Sequence, residues 1–527
     1  MLELIIKYYG DVTSAVATLG GTTEILSPTI AIVTIDEDKA GLLAALKEID
    51  YIELPIGLSL NMSESLYHAC VTPNAVGDLT GRGVIVALID SGIDYTHPDF
   101  RNDDGTTRIK YLWDMTAEGT PPPGFAYGHV YDEAAINAAL SAKNPLQIIP
   151  QNDTIGHGTA VASVAAGNGR ASGGREAGVA PQADIVAVKL GRDGSVAKTR
   201  TIELMRGLKF VADTAASLNQ PCAVNISFGT NRGAHDEHSL FEQYISEVAA
   251  LRHMSVIVAA GNEGSAGHHF SGNLKTGQTE TVEFIVSGGV VTVYLVMWSD
   301  FADKFAVEII QPVLPSDDVV NIDIRQATHY SPYQMIFVDI RNKNAEKWVT
   351  PGIWKFVVTS ISSVSGDFHI WLPTTEEVSR ATAFVRPNPA ATITMPATAD
   401  GVIAVGAYNP AQNSYAQFSG RGFADGHMPQ KPDLVAPGVG VVASRAGGGY
   451  DSYSGTSIAA PFVTGAAALM MQWGIVEGNN TDMYGQRLLA YLHRTAGRSA
   501  QRAYPNDMWG YGALCLGEAL KAAKADA

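Results

Sequence analysis

Cysteine is scarce. The chain has 3 in 527 residues, Cys70, Cys222 and Cys515, far apart and odd in number. That excludes a disulfide framework and a zinc-binding spacing, and it points to buried thiols in a reducing compartment. Basic charge is also short: Lys+Arg 36 stand against Asp+Glu 53, a net charge of −17. So acidic a surface excludes nucleic-acid binding driven by phosphate contacts. No apolar run reaches the roughly 18 residues that read as a membrane span. The start, Met1-Leu-Glu-Leu-Ile-Ile-Lys-Tyr-Tyr-Gly10, has an early acid, no basic stretch and no long apolar core, so no signal peptide is read there. Internal repeats and low-complexity segments are missing too.

What is present is ordinary globular composition, 46% apolar and 17% charged, at a length that suggests two to four domains. Residues 1–60 read as a split α+β unit: an apolar strand Leu2–Tyr9, a helix Asp11–Leu19, a strand Ile30–Ile35, a helix Asp38–Ile49 and an extended piece Tyr51–Leu60. From Gly83 the texture changes. All-apolar runs at Val84–Ile89, Asp184–Leu190, Ala223–Phe228, Ser255–Ala260 and Gly401–Ala407 fit strands buried on both faces. Helical stretches Gly158–Ala166, Thr201–Leu218 and His238–Leu251 lie between them, which predicts a doubly wound, mostly parallel α/β sheet. Residues 270–390 carry short strand-like runs without helices, which predict a β-sandwich inserted into the α/β domain. The expected order is therefore 1–60, 61–269 with 391–527 as one split domain, and 270–390 as the insert.

One stretch sets the chemistry: Ser452-Tyr-Ser-Gly-Thr-Ser457-Ile-Ala-Ala-Pro461 leads into a long apolar segment. Pro461 is tolerated only in a first helical turn, so the helix is predicted to start near Ser457. A serine hydroxyl at a helix N-terminus faces partial positive charge, but it needs a base to become a nucleophile. His157, in Gly156-His-Gly-Thr159, is the candidate base, since imidazole exchanges a proton near neutral pH. Asp90, at the end of the most apolar strand, is the candidate orienting acid. Asn262, in Ala260-Gly-Asn262, is the candidate donor to an oxyanion. Taken singly, these residues read as turns and caps. Their joint occurrence on one α/β scaffold points to acyl transfer. No cofactor or metal site is read: His235-Asp-Glu-His238 fits a solvated loop or helix start, and His268-His269 is treated likewise.

With Asp90-Ser-Gly-Ile-Asp94, His97-Pro-Asp99, Gly156–Thr159, Ala260–Asn262 and Gly455–Pro461 on the page, the sequence resembles the subtilisin-like serine proteases over roughly 80–265 and 391–515. The resemblance implies a serine endopeptidase with Ser457 as nucleophile, His157 as base then acid, Asp90 as orienter, and Asn262 with the Ser457 amide as oxyanion hole. It implies a peptide substrate added as a strand at Gly191 and at Ser227, Phe228 and Gly229, with Ala259 and Gly261 completing the P1 pocket walls. Residues 1–60 resemble a prosegment that chaperones folding and inhibits the site, with self-cleavage expected within Pro55–Leu66. The short pro-unit and the insert resemble the clostridial spore-germination (Csp) subtilases, which implies a retained prosegment, a jelly-roll insert, a cytoplasmic or spore-associated location and activation of a protein precursor. Ala166–Gly178 replaces the usual calcium loop and is poor in oxygen ligands, so no calcium is expected there. Asp99 is expected in a surface turn. Partners are expected to be a protein or peptide substrate and the prosegment, not nucleic acid or membrane. The alternatives are a catalytically silent binding scaffold and an esterase using the same triad.

Overall fold

The computed structural model describes the chain except residues 56–58, 61–68, 70–75, 193, 197–198, 314–315, 329–330 and 424–429. Most of Pro55–Leu66, and Cys70, therefore lie outside the described residues.

The central sheet has nine strands. Its order is Ser414–Tyr415, Ile403–Asn409, Met254–Ala259, Cys222–Ile226, Ile85–Asp90, Asp184–Lys189, Ile109–Asp114 and His129–Asp132, with Leu434–Pro437 also pairing to Ile403–Asn409. The five inner strands, Ile403–Asn409 through Asp184–Lys189, run parallel, whereas Ser414–Tyr415 and His129–Asp132 pair antiparallel. Side chains alternate between faces. Val86 and Leu88 join one apolar core with the helices His157–Ala166 and Thr456–Met471. Ile85, Ala87 and Ile89 join a second with the helices Thr201–Leu218 and Leu240–Ala249. Two covered faces explain why these strands read as unbroken apolar runs.

The helix Thr456–Met471 starts one residue before Ser457, but Pro461 sits in its second turn, not its first. A proline there leaves the carbonyl of Ser457 without its helical N–H partner. The Ser227 hydroxyl fills that place, 3.2 Å from the Ser457 oxygen. Together with the π-helical turn Gln472–Val476, this helix is long and apolar enough to cross a membrane, but 89% of its apolar window is buried inside the protein. It is a core helix.

The first 53 residues form a four-stranded antiparallel sheet ordered Thr22–Ile25, Ile30–Ile35, Leu2–Tyr8 and Ile49–Glu53. The strand Thr22–Ile25 was not expected. The predicted helix Asp38–Ile49 is cut to a 3₁₀ turn Glu37–Lys39 and one helical turn Ala40–Leu43. Only Leu43 of its apolar stripe is fully buried, while Ile49 is drawn into the edge strand beside Tyr8. One side of this sheet, with Leu4, Ile6 and Val33, closes a small core of its own. The other side, with Ile5, Ile30 and Ile32, packs into the core that holds Leu208 and Phe241. Each such buried side chain contributes about 1.5–3 kcal/mol. Charge complementarity is added at the seam. Glu3 meets Arg192, Arg200 at 2.5 Å and Arg206 at 2.8 Å, and Glu24 meets Arg206 at 2.8 Å. Burial alone would raise the Glu3 pKa, but Arg206 and Arg200 outweigh it and lower it to about 2.

Between His269 and Phe384 the chain forms two antiparallel sheets. One is ordered His269–Asn273, Asp367–Trp371, Thr292–Asp300, Tyr333–Asn342, Asp318–Arg325, and the other Lys304–Ile310, Gly352–Ser362, Thr279–Val286, Ala383–Phe384. Phe284, Trp354 and Phe356 of the second meet Leu295, Phe368 and Ile370 of the first in one apolar core.

Several surface readings are corrected. Asp99 is fully buried, and its carboxylate accepts from Ser444 Oγ and Tyr450 OH at 2.7 Å each and from the Ala171 amide at 2.8 Å. Three donors make that burial affordable. The Arg108 guanidinium binds the carbonyls of Asp99, Ala166 and Ala183 beside it at 2.5–2.9 Å, so the loop after the His157 helix is pinned by side chains. His235 is buried and stacked on Trp371 at 4.4 Å, and Asp236 beside it is buried too, whereas His238 is exposed, so only the first half of that stretch departs from the solvated reading. Among the described residues no three His, Cys, Asp or Glu side chains converge as a metal site.

Candidate active site

Asp90, Ser227 and Asn262 all lie at or just beyond the carboxyl ends of parallel strands, where ligands bind in such sheets. Asp90 Oδ1 lies 2.7 Å from His157 Nδ1, and both side chains are buried. A carboxylate only accepts, so Nδ1 carries the proton and Nε2 is left as the basic nitrogen. The same Oδ1 accepts the Ser91 amide at 2.7 Å.

Two glycines and an aspartate hold His157 there. Gly156, just ahead of the helix, takes φ +83°, a left-handed conformation that suits glycine. Gly158 packs so near Asp90 that an added Cβ would strike the Gly92 carbonyl. Asp153 was missed from the sequence. It is buried; its Oδ1 accepts from Ser91 Oγ (2.8 Å) and Gly156 N (2.9 Å), and its Oδ2 from the amide and hydroxyl of Thr159, both 2.8 Å. Read alone, an Asp ahead of Thr-Ile-Gly is an ordinary turn residue.

Ser457 is buried in the first turn of its helix. This helix and the His157 helix touch closely: a methyl on Gly465 would lie 2.8 Å from the Ala165 carbonyl. Ala165 is eight residues after His157, and Gly465 eight after Ser457. Both helices begin at the carboxyl edge of the sheet, so equal spans of about 12 Å bring the two side chains to one level. Asn262 is tied to the same turn. Its Oδ1 accepts from Thr456 N at 3.0 Å and Thr456 Oγ1 at 3.2 Å, while its buried Nδ2 has no partner among the described residues. That donor is spare for an oxygen arriving beside Ser457.

The predicted peptide-binding segments divide. Ser59–Leu60 pairs antiparallel with Phe228–Gly229, Leu60 opposite Phe228 and Ser59 opposite Gly229. The residues that follow the N-terminal sheet therefore already lie as an added strand on the expected cleft. Gly191 differs: it is buried just ahead of a turn closed by Arg192 and Ser195, and a Cβ on it would collide with Thr116. Among the described residues, the added strand pairs with Phe228–Gly229 and not with Gly191. Ala259 ends its strand and is buried, and Gly261 follows at φ +88°.

A further pair next to Asn262 was also missed. Glu263 and His268 are both fully buried, with Glu263 Oε2 at 2.5 Å from His268 Nδ1. His268 Nε2 is 2.8 Å from the Thr382 carbonyl, and Glu263 Oε1 accepts the Thr375 amide at 3.1 Å. Both ring nitrogens face atoms that only accept, so the ring is an imidazolium. Burial opposes both charges, but their bond outweighs it, holding Glu263 below and His268 above their ordinary ranges. The pair joins the residue after Asn262 to the start and end of the inserted sheets. His268→Ala strands a buried carboxylate and is expected to cost about 3–5 kcal/mol, read as a lower denaturant midpoint. An unchanged midpoint would show the pair to be dispensable.

Comparison with known proteins shows what this chain is similar to. The Subtilase family model matches residues 81–294 and 366–512, leaving out most of the inserted sheets, and the Csp protease B prodomain model matches residues 1–56. The structure of the CspB protease of Clostridium perfringens is 34% identical, with a TM-score of 0.79, covering 87% of this chain and 98% of that one. The C5a peptidase of Streptococcus pyogenes is 22% identical over 82% of this chain, and a Bacillus pumilus subtilisin is 44% identical over 15% of it. The chain spans 38% and 26% of the lengths of those two relatives. With more than half of its residues matched by the family model, the chain belongs to the Subtilase family of serine proteases.

Proposed function

We propose that the chain is a serine endopeptidase working through an acyl-enzyme. His157 Nε2 takes the Ser457 proton as Oγ attacks the carbonyl carbon. Asp90 fixes the tautomer and stabilises the imidazolium. The negative charge on the former carbonyl oxygen is met by Asn262 Nδ2 and the Ser457 amide. His157 then gives its proton to the leaving amine, and a water repeats the sequence to free Ser457. The observation that carries this reading is the buried 2.7 Å contact between Asp90 and His157, set at the sheet edge where Ser457 begins its helix. A scaffold that only binds peptides has no use for an oriented imidazole or for a spare buried donor on Asn262.

Self-processing follows from the strand Ser59–Leu60. Its antiparallel register carries the chain from Gly229 toward Ser227, whose hydroxyl touches the Ser457 carbonyl. The self-cleaved bond is proposed to fall just after Asn61, the residue that follows this strand, with the 1–56 prodomain held afterwards by its apolar face and the Glu3 ion pairs. A protein precursor is the proposed natural substrate. N-terminal sequencing of the purified mature chain tests this: a start at Met62 is expected, and an intact Met1 in active protein would contradict it. Asn262→Ala is expected to lower kcat about 10²–10³-fold with little change in KM, a magnitude borrowed from subtilisin, because only the oxyanion loses a donor. Equal loss in KM would place Asn262 in ground-state binding instead.

A further inference from the structure

We infer that Thr394 forms the floor of the P1 pocket and selects a peptide whose P1 side chain is short and carries a hydrogen-bonding end, an amide or a hydroxyl. The inference deepens, and rests on, the peptidase reading above. The pocket is located by contacts already described. The added strand runs along Gly229 and Phe228 toward Ser227, which bonds the Ser457 carbonyl. Gly261 directly precedes Asn262, whose carboxamide holds Thr456. The side chain of the residue that offers its carbonyl to Ser457 therefore enters between Gly229 and Gly261.

Thr394 occupies the inner end of that gap. A methyl on Gly229 would collide with its hydroxyl, and one on Gly261 would meet the hydroxyl at 2.5 Å and the γ-methyl at 2.6 Å. Its backbone is fixed to both walls: its amide donates to the Ala260 carbonyl at 3.1 Å, and the next residue, Met395, exchanges two hydrogen bonds with Thr230. The Thr394 side chain is fully buried, and its Oγ1 has no hydrogen-bond partner among the described residues. A buried hydroxyl without a partner is costly, and a ligand that supplies one removes the cost. A hydroxyl both donates and accepts, so a carboxamide or another hydroxyl satisfies it and an alkyl or phenyl end does not. Sites of this kind discriminate strongly against analogues that lack the bonding group.

The test uses the self-processed full chain, a fluorophosphonate probe and a set of peptides that differ only at P1. Cleavage after Asn, Gln or Ser is expected to exceed cleavage after Leu or Phe by tenfold or more in kcat/KM. Thr394→Val keeps the shape and removes the hydroxyl, so it is expected to erase that preference, while Thr394→Ser retains it. A wild-type preference for Leu or Phe, or a Thr394→Val profile equal to the wild type, would overturn the inference while Ser457 still reacts with the probe. Wild-type protein that neither cleaves nor reacts would instead overturn the peptidase reading, and this inference with it.

Discussion

Ser457→Ala is expected to leave the chain uncut after Asn61 and to reduce peptide hydrolysis by about 10⁶-fold, the scale known for the matching serine of subtilisin. Ser457 is fully buried at the helix start, and its carbonyl is held by Ser227 while the preceding residue is held by Asn262. Alanine keeps every one of those backbone contacts, so the variant should fold with an unchanged melting temperature. It loses only the oxygen that attacks. Gel and intact-mass measurements on pure variant protein decide the point: a cut at the same bond would mean that another protease, not this site, processes the chain.

Asp90→Asn is expected to lower kcat by about 10⁴-fold, a magnitude taken from serine proteases of another fold. An asparagine oxygen can still accept the Ser91 amide where Asp90 Oδ1 does now, so the strand end should stay in place. The imidazole suffers instead. Without a carboxylate, Nδ1 is no longer obliged to carry the proton, and the imidazolium formed during attack loses its counter-charge. Steady-state kinetics with a peptide substrate separate the two effects: a fall in kcat at constant KM is the expected pattern. A variant with near-normal kcat would remove Asp90 from the mechanism.

The parts of this molecule that could be read from sequence are those whose signal is short in range. Strands buried on both faces announce themselves, as Val84–Ile89 does, because every residue must be apolar. The helix Thr201–Leu218 was bounded correctly because its apolar stripe spans five turns. The four candidate catalytic side chains stood out because glycines and strand ends flank them. What stayed hidden depends on partners distant in the chain. Thr394 gains meaning only between Gly229 and Gly261, and His268 only beside Glu263 and Thr382. Asp99 looked like a surface turn because Ser444 and Tyr450, which satisfy it, lie about 350 residues on. Pro461 was misplaced by one turn for a similar reason: the rule against proline assumes an unsatisfied carbonyl, and Ser227 supplies the missing donor.

The most direct measurement is intact-mass analysis, with peptide mapping, of the full chain after exposure to a fluorophosphonate. The account predicts a single adduct on Ser457 that His157→Ala slows severely. No adduct, or one on any other serine, would contradict it.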